Sequence, residues 1–317
     1  MYKRQVRTYA GPDEDLSSPA LANHERFLHG YDRMQGYLKE EFGAARDFAS
    51  FVYLSQILQG EAIRTGVEHW RSTRPETMGA LYWQLDDCWP VASWASIDYF
   101  GRWKALQYYA ARFYAPVLIA AEHDGATLKV HLVSDELQSR QATLHVRLMR
   151  FDGTIVAEQS VPVQVAALAS TAVPDLPLAG LDNRKMLVAL TLEQDGQTVA
   201  RNTLYFARTR DLALPLVTIA STVTGTADGV VVELHAPVLA RAVALDFGNL
   251  DVRADDNFFD LLPGETRRVK VLGKVSVEQV RAAMRVRSMV DAMQPADAMQ
   301  PADAAKKLPE PAKTPGE

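Results

Sequence analysis

The longest helical pattern in the chain begins after Asp47, where Phe48, Phe51, Val52, Ser55, Leu58, Ala62, Ile63, Val67 and Trp70 recur at three- and four-residue spacing. Asp47 is placed to cap this helix, which ends before Pro75. Shorter helices are expected over residues 20–28, with Ser18 as cap and Pro19 at the first position, and over 31–42, stopped by Gly43. Another is expected over 103–113. Residues 6–19 are polar and turn-rich and predict a loop. Between the long helix and the last one, residues 78–85 read as a single strand. It opens into a turn-rich loop carrying Asp86, Asp87 and Pro90.

After Pro116 the period changes from helical to alternating. Strands are predicted over 117–119, 128–133, 142–148 and 187–192, separated by turns such as Asp124-Gly125, Asp152-Gly153 and Asp195-Gly196. Short strands at such intervals predict an antiparallel sandwich over residues 116–209. A second group, over 216–223, 230–234, 242–247 and 267–271, predicts a smaller sandwich over 210–290. The remainder, 291–317, holds a tandem Asp-Ala-Met-Gln-Pro-Ala repeat starting at Asp291 and Asp297, then Lys- and Pro-rich sequence. With so few apolar residues it is expected to be disordered.

The first 115 residues contain several helices and one confident strand, a poor independent core. A (β/α)8 barrel takes about 250 residues, so this stretch matches only its last quarter or third. The expected fold is therefore α+β and multidomain: the C-terminal part of a (β/α)8 TIM barrel over 1–115, two antiparallel Ig-like β-sandwiches, and a disordered tail.

Composition narrows the function classes. The 317 residues are 48% hydrophobic and 23% charged, as in an ordinary globular protein. A net charge of −5 gives no electrostatic case for nucleic acid or an anionic membrane. The single cysteine, Cys88, excludes an internal disulfide and a cysteine-rich metal site. No apolar run reaches the length of roughly 18–20 residues that a membrane span requires. Residues 1–5 have no apolar signal-peptide core, and we expect them to be foreign sequence joined to an interrupted gene. The compartment, cytoplasmic or periplasmic, and the oligomeric state are left open.

Candidate chemistry concentrates in residues 78–104, which hold four of the five tryptophans: Trp83, Trp89, Trp94 and Trp103. Strand, aromatic loop and helix make one β/α unit whose loop faces a pocket. Aromatic faces interleaved with Gln84, Asp86 and Asp98 suit a sugar, which offers apolar ring faces and a rim of hydroxyls. The competing reading is a buried aromatic corner sealing two domains. Trp94 and Trp103 are expected to pack behind Trp83. Retaining glycoside hydrolysis needs two carboxyls about 5 Å apart. Asp86 and Asp87 are adjacent, so on a strand they face opposite ways and do not make that dyad. Glu41 beside Gly43 reads as a solvated helix end, His24, His29 and His69 as surface or loop-packing residues, and Asp255-Asp256-Asn257 as a turn rather than a calcium loop. No metal site is expected.

The run Leu81-Tyr82-Trp83-Gln84-Leu85-Asp86-Asp87-Cys88-Trp89-Pro90 closely resembles the last barrel strand and loop of the β-mannosidases of glycoside hydrolase family 2, as do Ser93-Trp94-Ala95-Ser96-Ile97-Asp98 and Gly101-Arg102-Trp103-Lys104-Ala105-Leu106. The resemblance reaches back through Asp47-Phe48-Ala49 and Tyr53-Leu54-Ser55-Gln56, and forward into residues 256–265, typical of the family's terminal Ig-like domain. It implies a retaining exo-β-mannosidase that acts on β-mannoside oligosaccharides or glycoprotein glycans without a cofactor. It also implies that both catalytic glutamates precede residue 6, so that the chain alone is inactive. Carried over residue by residue, it makes Trp83 the floor of the mannose subsite and gives Gln84, Asp86 and Trp89 its surroundings. The family usually has asparagine where Asp86 stands, and a charge there would act on the nucleophile's pKa by like-charge repulsion. The alternatives are another family 2 glycosidase (β-galactosidase, β-glucuronidase or exo-glucosaminidase type) and a non-catalytic carbohydrate-binding module.

Overall fold

In a computed structural model that describes residues 3–294, a layer of helices precedes two stacked pairs of sheets. The helices are α1 (Lys3–Val6), α2 (Pro19–Asn23), α3 (Gly30–Phe42), α4 (Phe48–Ser72) and α5 (Ala105–Phe113). The expected punctuation is present. The Asp47 carboxylate accepts the Ser50 N–H at 2.7 Å, Ser18 caps α2, and α3 stops at Gly43, whose φ of +80° suits a residue without a Cβ. Helix α2 is shorter than its pattern because the following backbone is used elsewhere. Ala92 donates to the His24 carbonyl (2.7 Å) and Arg26 donates to the Ala92 carbonyl (3.0 Å). Phe51, Leu54 and Ile57 of α4 bury against Leu106, Tyr109 and Phe113 of α5.

Residues 78–85, predicted as a strand, form none. A strand needs a neighbour for its N–H and C=O groups. Among the described residues this region has only single bridges, Asp86 to Ile97 and Ile97 to Trp103.

The first sandwich comprises β1 (Val117–His123), β2 (Thr127–Ser134), β3 (Arg140–Arg150), β4 (Ile155–Val165), β5 (Ser170–Ala172), β6 (Leu176–Pro177), β7 (Met186–Gln194) and β8 (Gln197–Tyr205). One sheet runs β1-β2-β5, with β6 also on β2; the other runs β4-β3-β7-β8. Ile119, Val130 and Leu132 of the first face Leu144, Val146, Val188 and Leu190 of the second. The second sandwich adds β9 (Ala220–Thr226), β10 (Gly229–His235), β11 (Ala240–Asp246), β12 (Arg253–Ala254), β13 (Phe259–Leu261), β14 (Thr266–Leu272), α6 (Val277–Ala283) and β15 (Arg285–Arg287). Its sheets run β12-β14-β10-β9 and β13-β11-β15. Strand β9 starts four residues later than its pattern, which counts the exposed Leu216.

The disorder expected from residue 291 does not begin there. Ala292 is buried, Gln294 donates to the Ala44 carbonyl at 2.9 Å, and Arg46 Nε donates to the Met293 carbonyl at 2.7 Å. The rest of that expectation lies outside the described residues.

Gly60 sits where α4 approaches α5: a Cβ there would come within 2.7 Å of the buried Tyr109 ring. Glycine to alanine inside a helix ordinarily gains about 1 kcal/mol, while overpacking costs about 1–3 kcal/mol. Gly60→Ala is therefore expected to lower stability by up to about 2 kcal/mol in urea unfolding. A stabilised variant would show that the two helices have room to spare.

Candidate functional site

The aromatic loop is folded upon itself by its own backbone. Ser96 and Ile97 donate to the Leu85 carbonyl (3.1 and 2.9 Å), Asp87 donates to Ile97 (3.2 Å) and Lys104 to Ser96 (2.8 Å). Ser96 Oγ lies within hydrogen-bonding distance of the Leu85 carbonyl (2.9 Å), Gln107 Oε1 (2.7 Å) and Tyr82 OH (2.8 Å). At the centre Lys104 Nζ meets Asp87 Oδ2 at 2.6 Å, both side chains about 1% exposed. The Ser93 hydroxyl donates to the other Asp87 oxygen, and Ser93 Oγ in turn accepts the Ala95 N–H at 3.0 Å. Burial pushes the Lys104 ammonium below its ordinary pKa, and the Asp87 carboxylate pulls against that.

Because Asp87 is committed inward, its neighbour Asp86 is exposed, and the two carboxylates part company as the spacing predicts. Trp83 stands 75% exposed, joined to Gln84 by a cis peptide, and Gln84 Nε2 donates to the Asp86 carbonyl at 2.7 Å. Trp89 is held by residues well before it in the chain. His24 is stacked between Tyr9 (centroids 3.8 Å, planes 6° apart) and Trp89 (5.0 Å, 34°). Its Nδ1 lies 2.6 Å from the Pro90 carbonyl, which can only accept, so this nitrogen carries the hydrogen. Burial pushes the Tyr9 phenol up to about 12, keeping it neutral. Gln5, fully buried, donates to the Val91 carbonyl (2.6 Å) and accepts the Tyr99 N–H (3.0 Å).

The structure thus brings Trp83, Gln84, Asp86 and Trp89 onto one loop and adds partners that sequence reasoning misses: Lys104, Ser93, Tyr9 and Gln5. In the sequence Lys104 is only part of a helix start. His24 reads there as a surface or loop-packing residue, and loop packing is what it does. Four expectations are corrected. Trp103 does not back Trp83; it packs on Tyr108 (5.2 Å) and beneath the Arg253 guanidinium (3.9 Å). Trp94 is substantially exposed, and among the described residues no ring pair joins it to Trp83. Asp98 is not available to a sugar, since it is buried and caps its own turn, accepting from Phe100 and Arg102 N–H at 2.9 Å each. Glu41 is not a solvated helix end either; it accepts the Thr209 N–H (2.9 Å) and hydroxyl (2.7 Å). Asp256 pairs with Arg112 (2.5 Å) and Arg267 (2.6 Å). Among the described residues no group of three His, Cys, Asp or Glu is placed to hold a metal.

Breaking a buried pair by removing one partner typically costs about 3–5 kcal/mol, whereas replacing both by apolar groups is far milder. Lys104→Met is expected to destabilise by about that amount, and adding Asp87→Leu to recover most of it. Urea unfolding followed by tryptophan fluorescence measures both. Equal loss in the single and double variants would mean that the pair does not hold the loop.

Residues 126–211 match the family described as a mannosidase Ig/CBM-like domain, and residues 214–292 match one described as an Ig-fold domain under the mannosidase heading. The chain is 33% identical to the β-mannosidase of Capra hircus over 242 residues, covering 71% of this chain and 27% of that protein. It is 31% identical to the β-mannosidase of Bos taurus over 283 residues, covering 81% and 32%. It therefore spans about a third of the length of the curated relatives it matches. Among solved structures, a β-D-mannosidase from Dictyoglomus thermophilum superposes with a TM-score of 0.84 at 25% identity, covering 91% of this chain and 36% of that one. An exo-chitosanase from Amycolatopsis orientalis, at 20% identity and a TM-score of 0.67, shares the fold. Two mannosidase-type Ig domains, and β-mannosidase relatives matched across the aromatic loop as well as the sandwiches, place the chain in the β-mannosidase family, a family of glycoside hydrolases.

Proposed function

We propose that this chain forms the closing part of the sugar site of a retaining exo-β-mannosidase that removes terminal non-reducing β-D-mannose from oligosaccharides or glycoprotein glycans. In this reading residues 1–115 are the end of the catalytic (β/α)8 barrel, followed by Ig-like sandwiches over 116–209 and 210–290. Trp83 is the floor against which the sugar ring stacks, and Gln84, Asp86 and Trp89 shape its surroundings. The observation that carries the reading is the outward presentation of Trp83 and Asp86 from a loop whose Asp87 is locked inward by Lys104.

The chemistry is double displacement by two carboxyls about 5 Å apart. On this loop Asp87 is paired with Lys104, and the adjacent Asp86 and Asp87 do not form such a dyad. In this reading the acid/base and nucleophile glutamates are those the resemblance to β-mannosidases implies, contributed by sequence preceding residue 6.

The purified 317-residue chain is expected to release no nitrophenol from a nitrophenyl β-mannoside, and Trp83-dependent release would overturn the assignment. In an enzyme extended by the family's remaining domains, Trp83→Ala should lower kcat/KM about tenfold or more, the loss of one ring-stacking contact. There Asp86→Asn should move the acidic limb of the pH–kcat/KM profile to lower pH. Removing a neighbouring negative charge makes the nucleophile easier to ionise, so its pKa falls. A panel of β-mannosides, β-galactosides, β-glucuronides and β-glucosaminides on that enzyme separates the mannosidase from its family 2 alternatives.

A further inference from the structure

A cavity of about 550 Å³ opens between the 100–103 turn and the second sandwich. None of Trp83, Gln84, Asp86 or Trp89 lines it, so a ligand in this cavity is independent of the mannoside reading. Its charged lining consists of five arginines (Arg4, Arg102, Arg253, Arg285 and Arg287) and two aspartates, Asp246 and Asp251, an excess of three positive charges in a chain whose net charge is −5.

Most of these guanidiniums are tied to neutral acceptors. Arg4 donates to the Leu250 and Asn249 carbonyls (3.0 and 3.3 Å), Arg285 to the Ala282 and Met284 carbonyls (3.2 and 2.8 Å), and Arg287 to the Ser50 hydroxyl (3.1 Å). Such bonds satisfy N–H groups and fix their positions, yet supply no opposite charge. Arg102 is the exception, lying 3.4 Å from the Asp98 carboxylate. Arg253 goes further. Its guanidinium carbon lies 3.9 Å from the Trp103 ring centroid, and no hydrogen bond or ion pair joins that group to another described residue. Stacking holds the guanidinium plane and leaves its N–H fork at the edge, the geometry that takes a carboxylate or phosphate two-pronged. Of the two acids, Asp246 has one oxygen bonded to the Gly248 N–H at 2.8 Å.

The cavity is also larger than an inorganic anion needs and falls in the size range of small-molecule sites. Phe100 is half exposed at its mouth, and Trp103, Tyr53 and Phe247 give it aromatic walls. We propose that this pocket binds an organic anion, a ring compound such as a sugar carrying a carboxylate or phosphate, with Arg253 receiving the oxyanion.

The test is isothermal titration calorimetry of the 317-residue chain with glucuronate, glucose 6-phosphate, inorganic phosphate and neutral glucose. At least one of the two charged sugars should bind one to one, more weakly as salt rises, and which of them binds separates a carboxylate ligand from a phosphate one. Glucose should not bind, and inorganic phosphate should bind at least about tenfold more weakly than the charged sugar. Arg253→Gln should weaken binding about tenfold or more, and Arg253→Lys nearly as much, since an ammonium lacks the planar fork. Asp251→Asn, at an exposed position, should strengthen binding a few-fold by removing a repelling charge and keeps the test alive if an Arg253 variant fails to fold. No binding of either charged sugar at millimolar concentration, equal binding of glucose, or affinities indifferent to Arg253 and Asp251 would each overturn the proposal.

Discussion

Asp87 and Lys104 lie seventeen residues apart in the chain and 2.6 Å apart in space, and the aromatic loop between them is organised by that contact. A strand in a sheet is held by a ladder on each side, but the segment carrying Trp83 has only isolated bridges. Something else must fix it, and a buried ion pair can do so because it is directional. Withdrawing two charges from water costs several kcal/mol per ion, which the contact offsets only with good geometry and further hydrogen bonds. Ser93 supplies one of these to Asp87. The depressed Lys104 pKa is the trace of that cost. The same commitment makes Asp86 the outward acid, so the division of labour between two adjacent aspartates stems from one lysine.

A comparable device joins the helical layer to the sandwiches. Glu61 of α4 accepts from Arg241 of β11 at 2.8 Å, and Arg241 also donates to Thr209 at 2.7 Å and lies 4.2 Å over the Tyr205 ring of β8. Asp260 collects the Tyr205 and Thr203 hydroxyls (2.7 and 2.9 Å) and the Ala242 N–H (2.9 Å). Burial raises the Glu61 carboxyl above its ordinary pKa, and Arg241 opposes the rise. Apolar surface alone would let such layers slide, whereas directional polar contacts specify one register. Arg112 of α5 adds a third fixed point, reaching the Asn257 and Phe258 carbonyls at 3.0 and 2.9 Å.

These junctions explain which elements can be read from sequence. The central strands β2, β3, β7, β10, β11 and β14 alternate or run apolar and are legible, and the edge strands β1 and β9 are legible in part; the edge strands β4 and β8 are not. Strand β4 is mostly exposed and carries Pro162, which an edge position tolerates. Strand β8 holds Arg201 and Asn202, on opposite faces, because each meets a polar partner: Arg201 donates to Glu265, and Asn202 Nδ2 reaches the Ile119 carbonyl at 2.6 Å and Glu68 at 3.1 Å. The site is half legible for the same reason. Trp83, Gln84, Asp86 and Trp89 announce themselves by type and crowding, whereas Gln5 and His24 act across more than sixty residues of chain, a distance over which local pattern carries no signal.

The failed strand at residues 78–85 contains the closest agreement between pattern and structure. From Leu81 to Leu85 exposure alternates residue by residue, with Tyr82 and Gln84 partly covered and Leu81, Trp83 and Leu85 at 97%, 75% and 57%. That is the period-two alternation of a strand, kept without its ladder. Tyr82 turns inward to Ser96, Phe113 and Tyr114, and the apolar residues on the other parity face out. Periodicity in a sequence encodes which face is buried, while the hydrogen bonds that define a strand belong to its neighbours. Three large apolar side chains in a row on one exposed face are what a partner strand and a filled interior would cover. The pattern is therefore a correct statement about the face and an incomplete one about the ladder.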